Sequence, residues 1–138
     1  MMIMIMYRNL LALFLLFLFT TPLYASSGGS SSSASPYLSF QAPFVVNITD
    51  KGRMRFLQVA VQLKLADPNQ GAELLAHEHA LRHYLIMLLS DQEASKLYSV
   101  AGKEALRKSA LQEIKKAIKE HANHVQIEDI FFTSFIIQ

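Results

Sequence analysis

Between Phe56 and Leu65 the chain alternates strictly. Leu57, Val59, Val61, Leu63 and Leu65 point one way, and Phe56, Gln58, Ala60, Gln62 and Lys64 point the other. That period of two is the mark of a strand with one buried face. Upstream, Phe44 to Thr49 is rich in β-branched and aromatic residues. Asp50-Lys51-Gly52-Arg53 between them reads as a turn, with Gly52 supplying the positive φ of a hairpin bulge. The two runs predict an antiparallel hairpin with one face on a core.

At Asp67-Pro68 the period changes. Asp67 is a preferred N-cap, Pro68 suits the first helical position, and Gln70 completes a capping box. Leu74, Leu81, Leu85 and Leu88 recur at helical spacing, with Leu75 and Leu89 widening the stripe. Ser90 and Glu93 form a second capping box that opens a short helix through about Leu97. Ser99 caps a third helix, whose buried side is Leu106, Ala110, Leu111, Ile114, Ala117 and Ile118. Its outer face offers Glu104 with Lys108 and Lys116 with Glu120 as i,i+4 pairs, each worth a few tenths of a kcal/mol.

After His121 to His124 the chain turns extended, and Val125 to Ile137 predicts a long terminal strand in the interior of the sheet. Simple alternation groups Phe131, Phe135 and Ile137 on one face and Ile130, Phe132 and Ile136 on the other. The order β-β-α-α-α-β predicts one α+β domain from Pro36 to Gln138, a small antiparallel sheet with helices packed on one face. A strand apolar on both faces needs cover on both. One helical layer therefore leaves the other face as a candidate surface for another copy or another protein.

The first 25 residues follow a different logic. Arg8 is the single charge before Tyr24, Leu10 to Phe19 is an unbroken apolar run, and Leu23-Tyr24-Ala25 is a small-residue cleavage site. This order is a secretory signal, and the lengths fit it better than they fit a retained anchor. Reaching about 20 apolar residues would place Arg8 and Asn9 inside the span. Ser26 to Ser35, with seven Ser, two Gly and one Ala, reads as a flexible tether spanning about 17–19 Å. A tether has something to hold only where the leader is retained, which argues for the anchor. Signal or anchor, residues beyond Ser26 are expected outside the cytoplasm.

Composition then removes whole classes of function. From Ser26 onward, 12 Lys+Arg face 11 Asp+Glu, which lacks the clustered basic excess of a nucleic-acid binder. With no cysteine there is no disulfide, thiolate nucleophile or thiolate metal site. His79 and His83 have the i,i+4 spacing of a zinc pair, and His77 stands two residues before His79. Ala80, however, occupies the place of the general base in HExxH, and Arg82 would repel a cation. His121 and His124 are read as complements to the carbonyl end of the third helix. No GxSxG or P-loop occurs, and Glu128 and Asp129, adjacent on a strand, point apart. Catalytic, cofactor-binding and metal residues are therefore all expected to be none. The third helix carries six basic and three acidic residues from Lys103 to Glu120, read as a solvated face with interleaved pairs.

The pieces, in this order, resemble the flagellar basal-body-associated FliL family. Ala42-Pro43-Phe44-Val45-Val46-Asn47 is similar to its opening strand motif, followed by a hairpin and the strand Leu57 to Leu63. Leu81-Arg82 and Leu88-Leu89-Ser90 match its first helix, and Gly102-Lys103 with Leu106-Arg107 matches the start of its long helix. Phe132-Thr133-Ser134-Phe135-Ile136-Ile137-Gln138 resembles its closing motif. The motif positions carried over are Phe44, Val46, Asn47, Arg82, Leu89, Gly102, Leu106, Phe132, Thr133, Phe135 and Gln138. The resemblance implies a stomatin-like, non-enzymatic domain on the periplasmic side of the bacterial inner membrane. Its implied partners are flagellar stator and basal-body proteins and further copies of itself, with the N-terminal apolar segment holding the inner membrane if uncleaved. The other reading is a small exported lipid- or peptide-binding module unrelated to the motor.

Overall fold

The computed structural model describes residues 35–138. The leader and all of the tether except Ser35 lie outside the described residues. Strands β1 (Tyr37–Ser39), β2 (Phe44–Asp50) and β3 (Arg53–Leu65) are followed by a 3-10 turn at Pro68–Gln70. Helices α1 (Gly71–Ala76), α2 (Glu78–Ser90), α3 (Ala94–Leu97) and α4 (Val100–His121) lead into β4 (Ile127–Ile137). The class is α+β, with a four-stranded antiparallel sheet.

The β2–β3 hairpin forms where the alternation places it, but through a two-residue loop rather than the expected bulge: Lys51 (φ 50°) and Gly52 (φ 81°) are both left-handed and the register stays regular. That pair of angles follows the right-handed twist of the strands, and Gly52 adopts it without cost. Phe44, Val46 and Ile48 on β2 and the five apolar alternates of β3 are buried. Leu74, Leu81, Leu85 and Leu89 meet them from the helices, with Leu106, Ala110, Ile114, Ala117 and Ile118 of α4. Leu88 is only half-buried and Leu75 is exposed, so the stripe runs through Leu89.

Several expectations are corrected. β3, not the terminal strand, is the centre of the sheet: β2 and β1 share one of its edges and β4 takes the other. The pattern of β4 misleads because helix α4 covers one side of an edge strand, where an apolar run serves as well as in the interior. Two register shifts also break its alternation, leaving Glu128 and Thr133 as the extra residues opposite β3. Each bulge moves the following side chains to the other face. Ile127, Ile130, Phe132, Phe135 and Ile137 therefore stand opposite the buried residues of β3, while Phe131 and Ile136 stand opposite Gln62 and Gln58. The grouping of Phe131 with Phe135, and of Ile136 with Phe132, does not hold.

The capping also differs. Asp67 accepts from the Asn69 amide, while Gln70 reaches away to donate to the His124 carbonyl (3.0 Å) and accept from the Gln126 amide (3.1 Å). Gln70 thus pins the first turn to the segment entering β4, a use invisible to local capping rules. The first helix is broken at His77 into α1 and α2. Ser90 ends α2, and Glu93 flanks α3 without a side-chain cap, so no second capping box forms. Glu104 pairs with Arg107 rather than Lys108, and Glu120 accepts from the Tyr84 hydroxyl rather than pairing with Lys116. Ser99 caps α4 as expected, accepting from the Gly102 amide at 3.0 Å.

Candidate interaction surface

The motif residues gather at three junctions. At the first, Arg82 on α2 lays its guanidinium 4.4 Å over the centroid of Phe44 and donates to the Ala42 carbonyl at 2.9 Å. Glu78, one turn earlier, lies 3.8 Å from the same group. Phe40 meets Phe44 edge-on at 5.1 Å, so the loop before β2 is stapled to the helical layer by one cation and two rings. Val46 and Leu89 are buried in the same layer, whereas Asn47, opposite Phe56, faces outward.

The second junction is the elbow from α3 to α4. A Cβ on Gly102 would stand 1.7 Å from the Lys96 carbonyl oxygen, so the two helices meet only because position 102 has none. Leu106, one turn on, is buried beneath.

The third lies beside β4. Val100, Lys103, Glu104 and Arg107 of α4 and Phe131, Phe132 and Phe135 of β4 line a shallow groove of about 300 Å³. The Lys103 ammonium sits 5.3 Å over the Phe135 ring, and Arg107 bridges Glu104 (2.7 Å) and Asp129. Thr133, at the bulge, donates to the Ala60 carbonyl at 3.4 Å. Gln138 closes the strand by exchanging two 2.9 Å backbone bonds with Phe56. The Arg107 hydrogen bond holds the Glu104 carboxyl below its ordinary value near 4.5, aided by the charges of Arg107 and Lys108 and opposed by desolvation. A depressed folded value means that this pair supports the fold above the unfolded carboxylate range and stops doing so as pH falls through the folded value. Glu104→Gln is therefore expected to flatten the acid side of a Tm-against-pH curve below about pH 5 and to leave its slope above that unchanged.

The sheet face turned away from the helices is the fourth feature. Val45, Met54, Phe56 and Ile136 are exposed there, and Tyr37 packs on Phe131 at 6.2 Å. The alternation of β3 already placed Phe56 on this side. Met54 and Val45 carried no such signal individually.

The histidines do not assemble. His79 and His83 are exposed on α2, His83 edge-on to Tyr84. His77 stacks on His121 at 6.2 Å, and His124 pairs with Glu73 instead of serving the end of α4. Among the described residues no three His, Asp or Glu side chains are placed to hold a metal ion, and no helix is long and apolar enough to cross a membrane.

Residues 37–138, which take in every strand and helix above, match the family model described as flagellar basal body-associated protein FliL. The chain is also 24% identical over 96 residues to a flagellar protein FliL of Aquifex aeolicus (strain VF5). That similarity covers 70% of this chain and 57% of the relative, so the chain spans little more than half of the relative's length. A single family description thus covers both the junction residues and the open faces they support, and the chain belongs to the flagellar basal body-associated FliL family.

Proposed function

We propose that the protein is a non-enzymatic accessory of the flagellar motor. It associates with stator units from the periplasmic side of the inner membrane, assembles with further copies of itself and supports swimming and swarming. The observation that carries this reading is the extent of the family match, residues 37–138, which coincides with the whole described domain rather than with one motif. The architecture suits the role. Its family motifs hold helix to sheet and strand to strand, and they leave two open features for partners: the groove beside β4 and the uncovered sheet face.

Deleting the gene is expected to shrink swimming halos in soft agar and swarming on viscous agar, both restored by a plasmid copy. Unchanged motility on both media removes the motor assignment. Affinity purification of the full chain from membranes is expected to bring down stator proteins. Mass spectrometry of the N-terminus in membrane and soluble extracts reads whether Ala25–Ser26 is cut.

A further inference from the structure

We infer that the outer edge of β4, from Phe132 to Ile137, receives an extended acidic-apolar segment of another polypeptide as a fifth strand. This gives a chemistry to the groove beside β4 and rests on the reading of that groove as a partner surface. Phe56 and Gln138 exchange both backbone bonds, so the even-numbered residues of β3 from Phe56 to Lys64 turn their amides and carbonyls toward β4. Their partners within β4 are Ile136, Ser134, Phe131 and Asp129. Ile137, Phe135, Phe132 and Ile130, which alternate with these apart from the bulge at Thr133, turn theirs the other way. No strand lies on that side among the described residues. Ile130 agrees with this phase and marks the limit of the open edge. Its amide donates to Asp129 Oδ1 at 2.9 Å, and its carbonyl accepts from Arg107 Nη1 at 3.3 Å. Two charged side chains thus close the edge at Ile130. Beyond it, no strand and no side chain among the described residues takes up the outward groups of Phe132, Phe135 and Ile137.

A row of donors and acceptors at the strand repeat is matched by a polypeptide backbone. The side chains around the row select the polypeptide. A residue opposite Phe135 turns its side chain to the helical side, where the Lys103 ammonium sits 5.3 Å over the Phe135 ring. Glu104, next in the chain, is held by Arg107 at 2.7 Å, and Lys103 has no ion-pair partner among the described residues. An Asp or Glu in that place meets a free cation. Residues two positions to either side reach the apolar part of the groove, where Val100 is 85% exposed. A second copy fits this edge poorly. Two-fold pairing of β4 with β4 over the open window sets its axis near Phe135 and brings two Lys103 ammoniums together. On the far side of the sheet β2 offers only Val45 and Asn47, because Thr49 is bridged to Glu93, and β1 is three residues long.

The test uses the full chain in detergent and a fluorescein-labelled, amidated peptide, Thr-Val-Thr-Glu-Thr-Val-Thr, with a twin carrying Lys for Glu. Fluorescence anisotropy is expected to show saturable binding of the Glu peptide and about three- to ten-fold weaker binding of the twin. Lys103→Glu, at an exposed position, is expected to invert that preference at unchanged thermal stability. N-methylation of the Val and Glu amides, which face β4 in the added strand, is expected to abolish binding, and N-methylation of the inner Thr amides to spare it. Hydrogen exchange at the Phe132, Phe135 and Ile137 amides is expected to slow with bound peptide, and that at Ile130 to stay unchanged. No saturable binding of the Glu peptide up to about 1 mM, equal loss from both N-methyl patterns, or an uninverted preference in Lys103→Glu overturns the proposal. Self-association that protects the same amides without peptide also overturns it and assigns the edge to a second copy. The assay uses purified chain, so its failure leaves the motor role standing, and unchanged motility leaves the peptide result standing.

Discussion

Gly102→Ala is expected to be among the most damaging single-methyl changes in the molecule. In an open helix the substitution stabilises by about 1 kcal/mol, because alanine loses less backbone entropy than glycine. Here the new Cβ would stand 1.7 Å from the Lys96 carbonyl oxygen and 2.8 Å from its carbon. Both are backbone atoms, so no rotamer change relieves the contact. The α3–α4 elbow must open, and with it the Ser99 cap and the burial of Leu97 and Leu106. Overpacking of this kind costs roughly 1–3 kcal/mol or more, and the loss of a cap about 1 kcal/mol. The steric term wins, and Tm is expected to fall by about 10 °C or more for a domain of this size. Gly71→Ala is the control. Its nearest contact is the Leu65 side chain at 3.6 Å and its backbone is right-handed helical, so its Tm should hold or rise.

Phe44→Ala is expected to cost about 3–5 kcal/mol, read as a fall in the urea midpoint at unchanged m-value. Phe44 is 1% exposed and serves three neighbours at once: the core beneath, the Phe40 edge and the Arg82 guanidinium. Removing the ring leaves a cavity and leaves the cation with the Ala42 carbonyl, Glu78 and the more distant Phe40 ring as partners. Against a total stability of about 5–15 kcal/mol, that brings the domain near its threshold. Arg82→Met keeps the stem and loses the charge, and about 1–2 kcal/mol is expected. The double variant should cost less than the sum, since the cation–ring contact is removed only once. A strictly additive result would mean that the contact contributes nothing.

Where periodicity was long and uninterrupted, the sequence was a sufficient guide. The alternation from Phe56 to Leu65, the left-handed Gly52 and the Ser99 cap each depend on neighbours in the chain, so they can be read from it. The failures share a different cause. The bulges at Glu128 and Thr133 carry no Gly or Pro, and only the register against β3 exposes them. β1 is three residues long and exists because β3 outruns β2 and offers it an edge. Gln70 looks like half of a capping box until residues 54 and 56 positions away claim its amide. The aromatic terminus was visible as a surface in the sequence. Which rings face the groove and which face outward followed only from the bulge.

β1 is short and is the first of the described strands, so a pull from its N-terminal side would meet it before the core. A pull on the chain from Ser35 acts on three paired residues and the Pro36–Leu65 bond before it reaches the hairpin. An antiparallel pair loaded from one end unzips rung by rung, each rung weak by itself. The buried core begins at Phe44, so this release withdraws the partly buried Leu38 and Phe40 and breaks the Arg82 bond to the Ala42 carbonyl. Residues 35–43 have a contour of about 30 Å at roughly 3.3–3.6 Å per residue, of which the register along β3 already spans about 20 Å, so release would pay out about 10 Å of extra line. Loaded from Ser35, the edge strand would give way as a shock absorber does, lengthening the line while the core from Phe44 onward stays folded.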